Sequence, residues 1–133
     1  MLEEIADVIA AGENPKDPAT MMRRGIRPDL NKRGSLRTVF DGRYKFSRYF
    51  APIQRNRPAN VSELYLNNDV ELFDFETDPQ EMTNLAANKD AHRDLVLAMS
   101  DKLEHAIKDE IGRDDGREMP DFKGVSWAMD SVD

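Results

Sequence analysis

The chain has 133 residues, enough for one domain and small for two. It holds no Cys and two His, His92 and His105. Disulfides, thiolate metal sites and a cysteine nucleophile are thereby excluded, and a His base has few places to sit. The net charge of −7 is split unevenly, at −4 over residues 1–15, +9 over 16–57 and −12 over 58–133. Such a split fits a nucleic-acid patch, a surface for an anionic substrate, or two halves that neutralise each other on folding.

Residues 1–11 predict a short amphipathic helix, with Met1, Ile5, Val8 and Ile9 on one face and Gly12 as its stop. Residues 12–34 carry Pro15, Pro18, Gly25, Pro28 and Gly34 and read as loop. Residues 35–50 predict a hairpin about Asp41-Gly42. A two-residue turn there pairs Val39 with Tyr44 and Arg37 with Phe46, and that face is the more apolar candidate for the core. A longer loop changes the register. Residues 51–60, with two prolines, read as an exposed excursion.

Strands are expected at about Glu63–Leu66 and Val70–Glu76, joined as a hairpin around Asn67-Asn68-Asp69. Thr77-Asp78-Pro79-Gln80 predicts a type I turn, with Asp at its first position and Pro at its second. One long helix is expected from about Lys89 to Ile111, with Asn88 as N-cap. Its apolar stripe is Leu95, Met99, Leu103, Ala106 and Ile107, widened by Val96 and Ile111, and Gly112 stops it. The acidic tail, 112–133, is either disordered or tied down by Phe122 and Trp127.

The fold expected is therefore α+β: a small antiparallel sheet of about four strands on one long C-terminal helix, with a short N-terminal helix. Three segments are expected: 1–34, 35–111 and the tail 112–133. No apolar run approaches the roughly 18 residues of a membrane helix. The first 15 residues lack the basic start of a signal peptide. A soluble chain is expected, and its compartment stays open.

Searches for chemistry return little. Neither G-x-x-x-x-G-K-[ST] nor G-x-G-x-x-G occurs. His92 and His105, 13 positions apart on the long helix, fall about 140° apart around its axis and cannot share one ion from it. Asp114-Asp115-Gly116 and Glu118 do not match the calcium-loop spacing, so they read as a solvated tail. Asn60-Val61-Ser62 is a glycosylation sequon by pattern only. No metal site is expected. The basic stretch interleaves Arg23, Arg24, Arg27, Lys32, Arg33, Arg37, Arg43, Lys45, Arg48, Arg55 and Arg57 with Tyr44, Phe46, Tyr49 and Phe50. Stacking on single-stranded nucleic acid uses such a mixture. An apolar core face with a basic outer face is the simpler reading, and the acidic helix and tail compete with nucleic acid for the same surface.

Two segments carry a family resemblance. Residues 36–49 (LRTVFDGRYKFSRY) resemble the R-x-V-R-T-x-x-Y-K-Y/L hairpin of sulfatases. Residues 71–86 (ELFDFETDPQEMTNLA) resemble their E-L-Y-D-L-x-x-D-P-x-E-x-x-N-L-A signature, which Glu71, Leu72, Asp74, Asp78, Pro79, Glu81, Asn84, Leu85 and Ala86 fit in order. The resemblance covers about residues 35–111. It implies the small C-terminal subdomain of a sulfatase, a sheet of about four strands with one long helix, packed on a large α/β catalytic domain.

The family's sulfuric ester hydrolysis needs a formylglycine made from C/S-x-P-x-R and a calcium site. Neither motif is present here, so calcium and formylglycine belong only to a full-length parent. The chain alone is expected to be inactive, with no catalytic residue and no cofactor of its own. The resemblance implies a structural role for Glu71, Asp74, Asp78, Pro79, Glu81, Asn84 and Leu85. Arg43, Lys45 and Arg48 are candidates for lining a substrate entrance. The partner implied is the catalytic domain, or a second copy through the surface that domain covers. The alternative is a stand-alone binding or dimerisation module using the basic 16–57 stretch.

Overall fold

The computed structural model describes residues 2–26 and 29–114. The described chain divides into two compact units, one within residues 2–29 and one beginning at Leu30. In the first unit, α1 spans Leu2–Ala10 and α2 spans Pro18–Arg23. The second helix corrects the loop expected over 12–34. Asp17 caps it, its carboxylate accepting from the Ala19 and Thr20 N–H groups at 3.3 and 3.1 Å. Three polar acceptances, including the Thr20 hydroxyl at 2.6 Å, hold the Asp17 carboxyl below its usual range. The signal was present as Asp followed by Pro, a cap followed by a residue preset for the first turn. Glu13 pairs with Arg24.

The second unit holds a three-stranded antiparallel sheet in the order β1 (Ser35–Phe40), β2 (Tyr44–Phe50), β3 (Asp69–Asp74). Helix α3 (Val61–Asn67) precedes β3, a short 3₁₀ turn (Leu85–Ala87) follows it, and α4 (Arg93–Glu110) comes next. The α+β layout is as expected, but with three strands in place of about four. The missing strand is Glu63–Leu66, which lies in α3. Asn60 is the reason: its side chain accepts from the Glu63 N–H at 2.9 Å, and Glu63 reaches back to the Ala59 N–H at 2.8 Å. That reciprocal capping at an N-x-x-E spacing starts a helix and overrides the β propensity of Val61 and Tyr65. Asn68 then ends the helix in an extended conformation (φ −135°), so the junction 67–69 is a helix-to-strand step and not a hairpin.

The first hairpin forms, with its turn one residue later than expected. Asp41 N–H bonds the Tyr44 carbonyl at 3.2 Å, which leaves Gly42 and Arg43 at the centre. Gly42 takes φ 101°, which a residue with a side chain rarely adopts. Asp41 fixes the turn by accepting from the Arg43 and Tyr44 N–H groups at 3.1 and 2.8 Å. The register is Val39↔Phe46, Arg37↔Arg48 and Ser35↔Phe50, two positions from the expected pairing. A two-residue slip preserves the faces, so the face chosen for the core is the face that is buried.

Against that face lies α4. The core joins Phe46, Leu64, Val70, Leu72, Ala86, Val96, Met99, Leu103 and Ile107. Phe46 and Leu72 have no exposed surface, and each contributes on the order of 1.5–3 kcal/mol by burial. The helix begins at Arg93, later than Lys89, because Asn88 caps only a preceding turn through the Ala91 N–H at 3.2 Å. Its buried line runs Val96, Met99, Ser100, Leu103, Ile107, while Ile111 is 47% exposed. Gly112 (φ 81°) ends it as expected, its N–H reaching back to the Ile107 carbonyl at 3.0 Å. The expectations for Asp115, Gly116, Glu118, Phe122 and Trp127 lie outside the described residues.

Candidate functional site

The segment 71–86 is built from polar side chains that satisfy main chain. Asp78 opens a turn through the Glu81 N–H at 3.1 Å, with Pro79 at its second position. The Asp78 carboxylate then accepts from the Met82 and Thr83 N–H groups, both at 2.9 Å. Asn84 lies along the outer edge of β3. Its Oδ1 accepts from the Leu72 N–H at 2.9 Å and its Nδ2 donates to the Val70 carbonyl at 3.1 Å. One amide side chain thus stands in for a neighbouring strand and blunts an open edge. The same Oδ1 caps the 3₁₀ turn at the Ala86 N–H, 3.0 Å away. Leu85 packs on the core and Ala86 is within it. Glu81 has φ 55°, a conformation costly for a side-chain-bearing residue, and its carboxylate meets the Lys45 ammonium at 2.6 Å. Glu71 accepts from the Tyr49 hydroxyl at 3.3 Å. Burial and the neighbouring Glu71 together push the Tyr49 phenol up.

The three basic residues singled out for an entrance do not converge. Arg43 sits in the hairpin turn, forks onto Asp74 at 3.0 and 2.8 Å, and approaches Glu76 at 3.2 Å. That fork holds the Asp74 carboxyl down at about 2 and raises the guanidinium further. Lys45 lies on the opposite sheet face from Phe46, paired with Glu81. Arg48 faces the core and is 2% exposed.

Around Arg48 the structure assembles a cluster that sequence patterns do not announce. Arg48 donates to Glu104 on α4 at 2.7 Å and to the Asn56 carbonyl at 2.8 Å. Arg37 stands opposite it across the ladder. Arg55, expected in an exposed excursion, is buried. All three guanidinium groups lie over the Phe50 ring, at 5.8, 5.6 and 5.5 Å for Arg37, Arg48 and Arg55. Asp114, expected in a solvated tail, has a side chain only 9% exposed. It accepts from Arg37 Nε and Nη2 at 3.1 and 2.7 Å and from Arg55. Burial outweighs the mutual attraction of Arg48 and Glu104. It pushes the guanidinium down and the carboxyl up, each toward its neutral form.

These pairs also decide the charge split. Arg33–Asp69, Arg43–Asp74, Lys45–Glu81, Arg48–Glu104 and Arg37–Asp114 each join a base from the 16–57 stretch to an acid from beyond residue 58. Within the second unit the basic and acidic segments neutralise each other. Among the described residues, no group of three or more His, Asp or Glu side chains is arranged to hold a metal ion. No described helix is long and apolar enough to cross a membrane.

Comparison with known proteins gives a partial likeness. The chain is 29% identical over 98 residues to cell wall integrity and stress response component 4 of Saccharomyces cerevisiae. That match covers 74% of this chain and 14% of the yeast protein, so the chain spans a small part of its relative's length. No protein-family model matches the chain, and no solved structure matches it.

Proposed function

We propose that this chain serves as the C-terminal structural subdomain of a sulfatase-like sulfuric ester hydrolase, with the catalytic centre carried elsewhere. The observation that supports this reading is the use made of the signature over 71–86. Asp74, Asp78, Glu81 and Asn84 all spend their polar atoms on turns, a strand edge and ion pairs. Residues so committed act as scaffold, and none is left poised as an acid, base or nucleophile. The three-stranded sheet with its long helix also agrees with the layout that the resemblance implies, one strand short. On this reading the subdomain caps a catalytic domain, and Arg43 and Lys45 lie on parts of its surface able to face an anionic ester.

The test is made on the coding sequence and on the protein. The reading frame upstream of Met1 should contain C/S-x-P-x-R. The longer product should hydrolyse an aryl sulfate, while residues 1–133 alone should not. Turnover by the 133-residue chain alone, or a complete upstream frame without the motif, overturns the proposal.

A further inference from the structure

Three buried or half-buried guanidinium groups share one ring on the inner sheet face. Cations gathered in this way repel, and burying them together is unfavourable unless an anion sits among them. The Asp114 carboxylate is the anion set between two of them. Arg37 grips it edge-on through Nε and Nη2, and Arg55 adds a further bond. Yet Asp114 belongs to no helix or strand. It stands two residues past Gly112, whose left-handed backbone has already ended α4. A carboxylate outside the helices and strands therefore supplies a counter-charge to the cluster. A second observation points the same way. Arg48 is 2% exposed, and its Nε–H has no hydrogen-bond partner among the described residues. A buried guanidinium donor left unused calls for an acceptor.

We propose that Arg37, Arg48 and Arg55 form an oxyanion-binding site in which Asp114 is an exchangeable plug, and that a tetrahedral oxyanion, sulfate or phosphate, free or as an ester, displaces it. The edge that Arg37 presents to Asp114 matches the oxygens of sulfate or phosphate as well as those of a carboxylate. A tetrahedral ion offers oxygens in further directions, which gives the unused Arg48 donor a partner. One anion replaces another, so the guanidinium groups are never left together without a counter-charge. This site goes beyond the scaffold role proposed above and does not depend on it.

Asp114→Asn keeps the shape of the plug and removes its charge. Wild type and this variant are titrated calorimetrically with sodium sulfate, sodium phosphate and sodium chloride at matched ionic strength. Asp114→Asn should bind sulfate or phosphate saturably, on the order of tenfold or more tighter than wild type, because the wild-type site is open for only a fraction of the time. The tighter of the two ions names the ligand. Chloride should give no saturable signal. Adding Arg37→Gln should abolish the binding, while Lys89→Gln, over the Tyr65 ring and away from the cluster, should not. Equal affinity in wild type and Asp114→Asn overturns the proposal, as does the absence of saturable oxyanion binding above chloride. A second measurement needs no variant. The Arg37 and Arg48 Nε–H NMR signals of wild type should shift saturably with the oxyanion and not with chloride, and a flat titration also overturns the site.

Discussion

The Arg48–Glu104 pair sets a test of how burial and charge compete in this fold. Its partners are unequally buried, with Arg48 side-chain exposure at 2% and Glu104 at 24%. Neutralising Glu104 by Glu104→Gln leaves a buried cation close to Arg37 and Arg55, and breaking a buried pair from that side costs on the order of 3 kcal/mol or more. Arg48→Met removes the cation instead. Glu104 then relaxes toward water through its exposed portion, the Met stem keeps the contact with Phe50, and the main loss is the bond to the Asn56 carbonyl, about 1 kcal/mol. The double variant Arg48→Met/Glu104→Gln carries no buried charge at either position. It should lie within about 1 kcal/mol of wild type, because the cost of burying the two wild-type charges offsets most of their attraction. Urea unfolding of the four proteins, read by far-ultraviolet circular dichroism, gives the cycle. A Glu104→Gln loss no larger than that of Arg48→Met, or two single losses that simply add in the double variant, would refute this account of the pair.

Three further predictions concern the sheet and its edge. Asn84→Ala removes three hydrogen bonds and uncovers the outer edge of β3, so its urea midpoint should fall by the equivalent of about 2 kcal/mol. Asn84→Asp keeps the acceptor and should lose less. Pro79→Ala frees the unfolded chain at the second position of the turn and should lower stability by about 0.5–1 kcal/mol, read as a lower melting temperature. The pH dependence follows from two aspartates. Hydrogen bonds from Lys102 and from the Tyr44 and Arg43 N–H groups hold Asp41 at about 2, and the Arg43 fork holds Asp74 at about 2, both below the ordinary 3.8. A depressed acid pKa means that the unfolded chain takes up protons first as the pH falls. The stabilisation is complete above about pH 4 and is lost between about pH 4 and pH 2. Asp74→Asn should flatten that slope in urea midpoints measured across the window.

What the sequence made legible were the features governed by local rules. The β-rich runs flanking Asp41-Gly42 placed β1 and β2, and the 3.6 period placed most of the buried line of α4. Gly112 marked its end. Asp-Gly marked the first hairpin, but the Asp41 side chain took the Arg43 and Tyr44 N–H groups and moved the turn centre by one residue. The strand expected over 63–66 is a helix because the Asn60 and Glu63 side chains bond the main chain at its start. The N-x-x-E spacing of that pair is a local signal present in the sequence. The Arg37–Arg55–Asp114 arrangement has no such marker. Its members are 18 and 59 positions apart, and only the folded sheet brings them to one ring.

The charge pattern gains its meaning at the same level. A run of bases over 16–57 suggested a surface for an external polyanion. In the fold, the bases on the sheet's inner face and hairpin meet acids from the end of β3, from α4 and from beyond Gly112. Counter-charges supplied from within weaken the case for nucleic acid, because a phosphate backbone would have to displace several of them at once. Displacing a single carboxylate asks much less, and of these acids Asp114 lies outside the helices and strands, just past α4. The asymmetry of the sequence therefore narrows from a broad basic surface to the buried Arg37, Arg48 and Arg55 cluster and the acids that meet it.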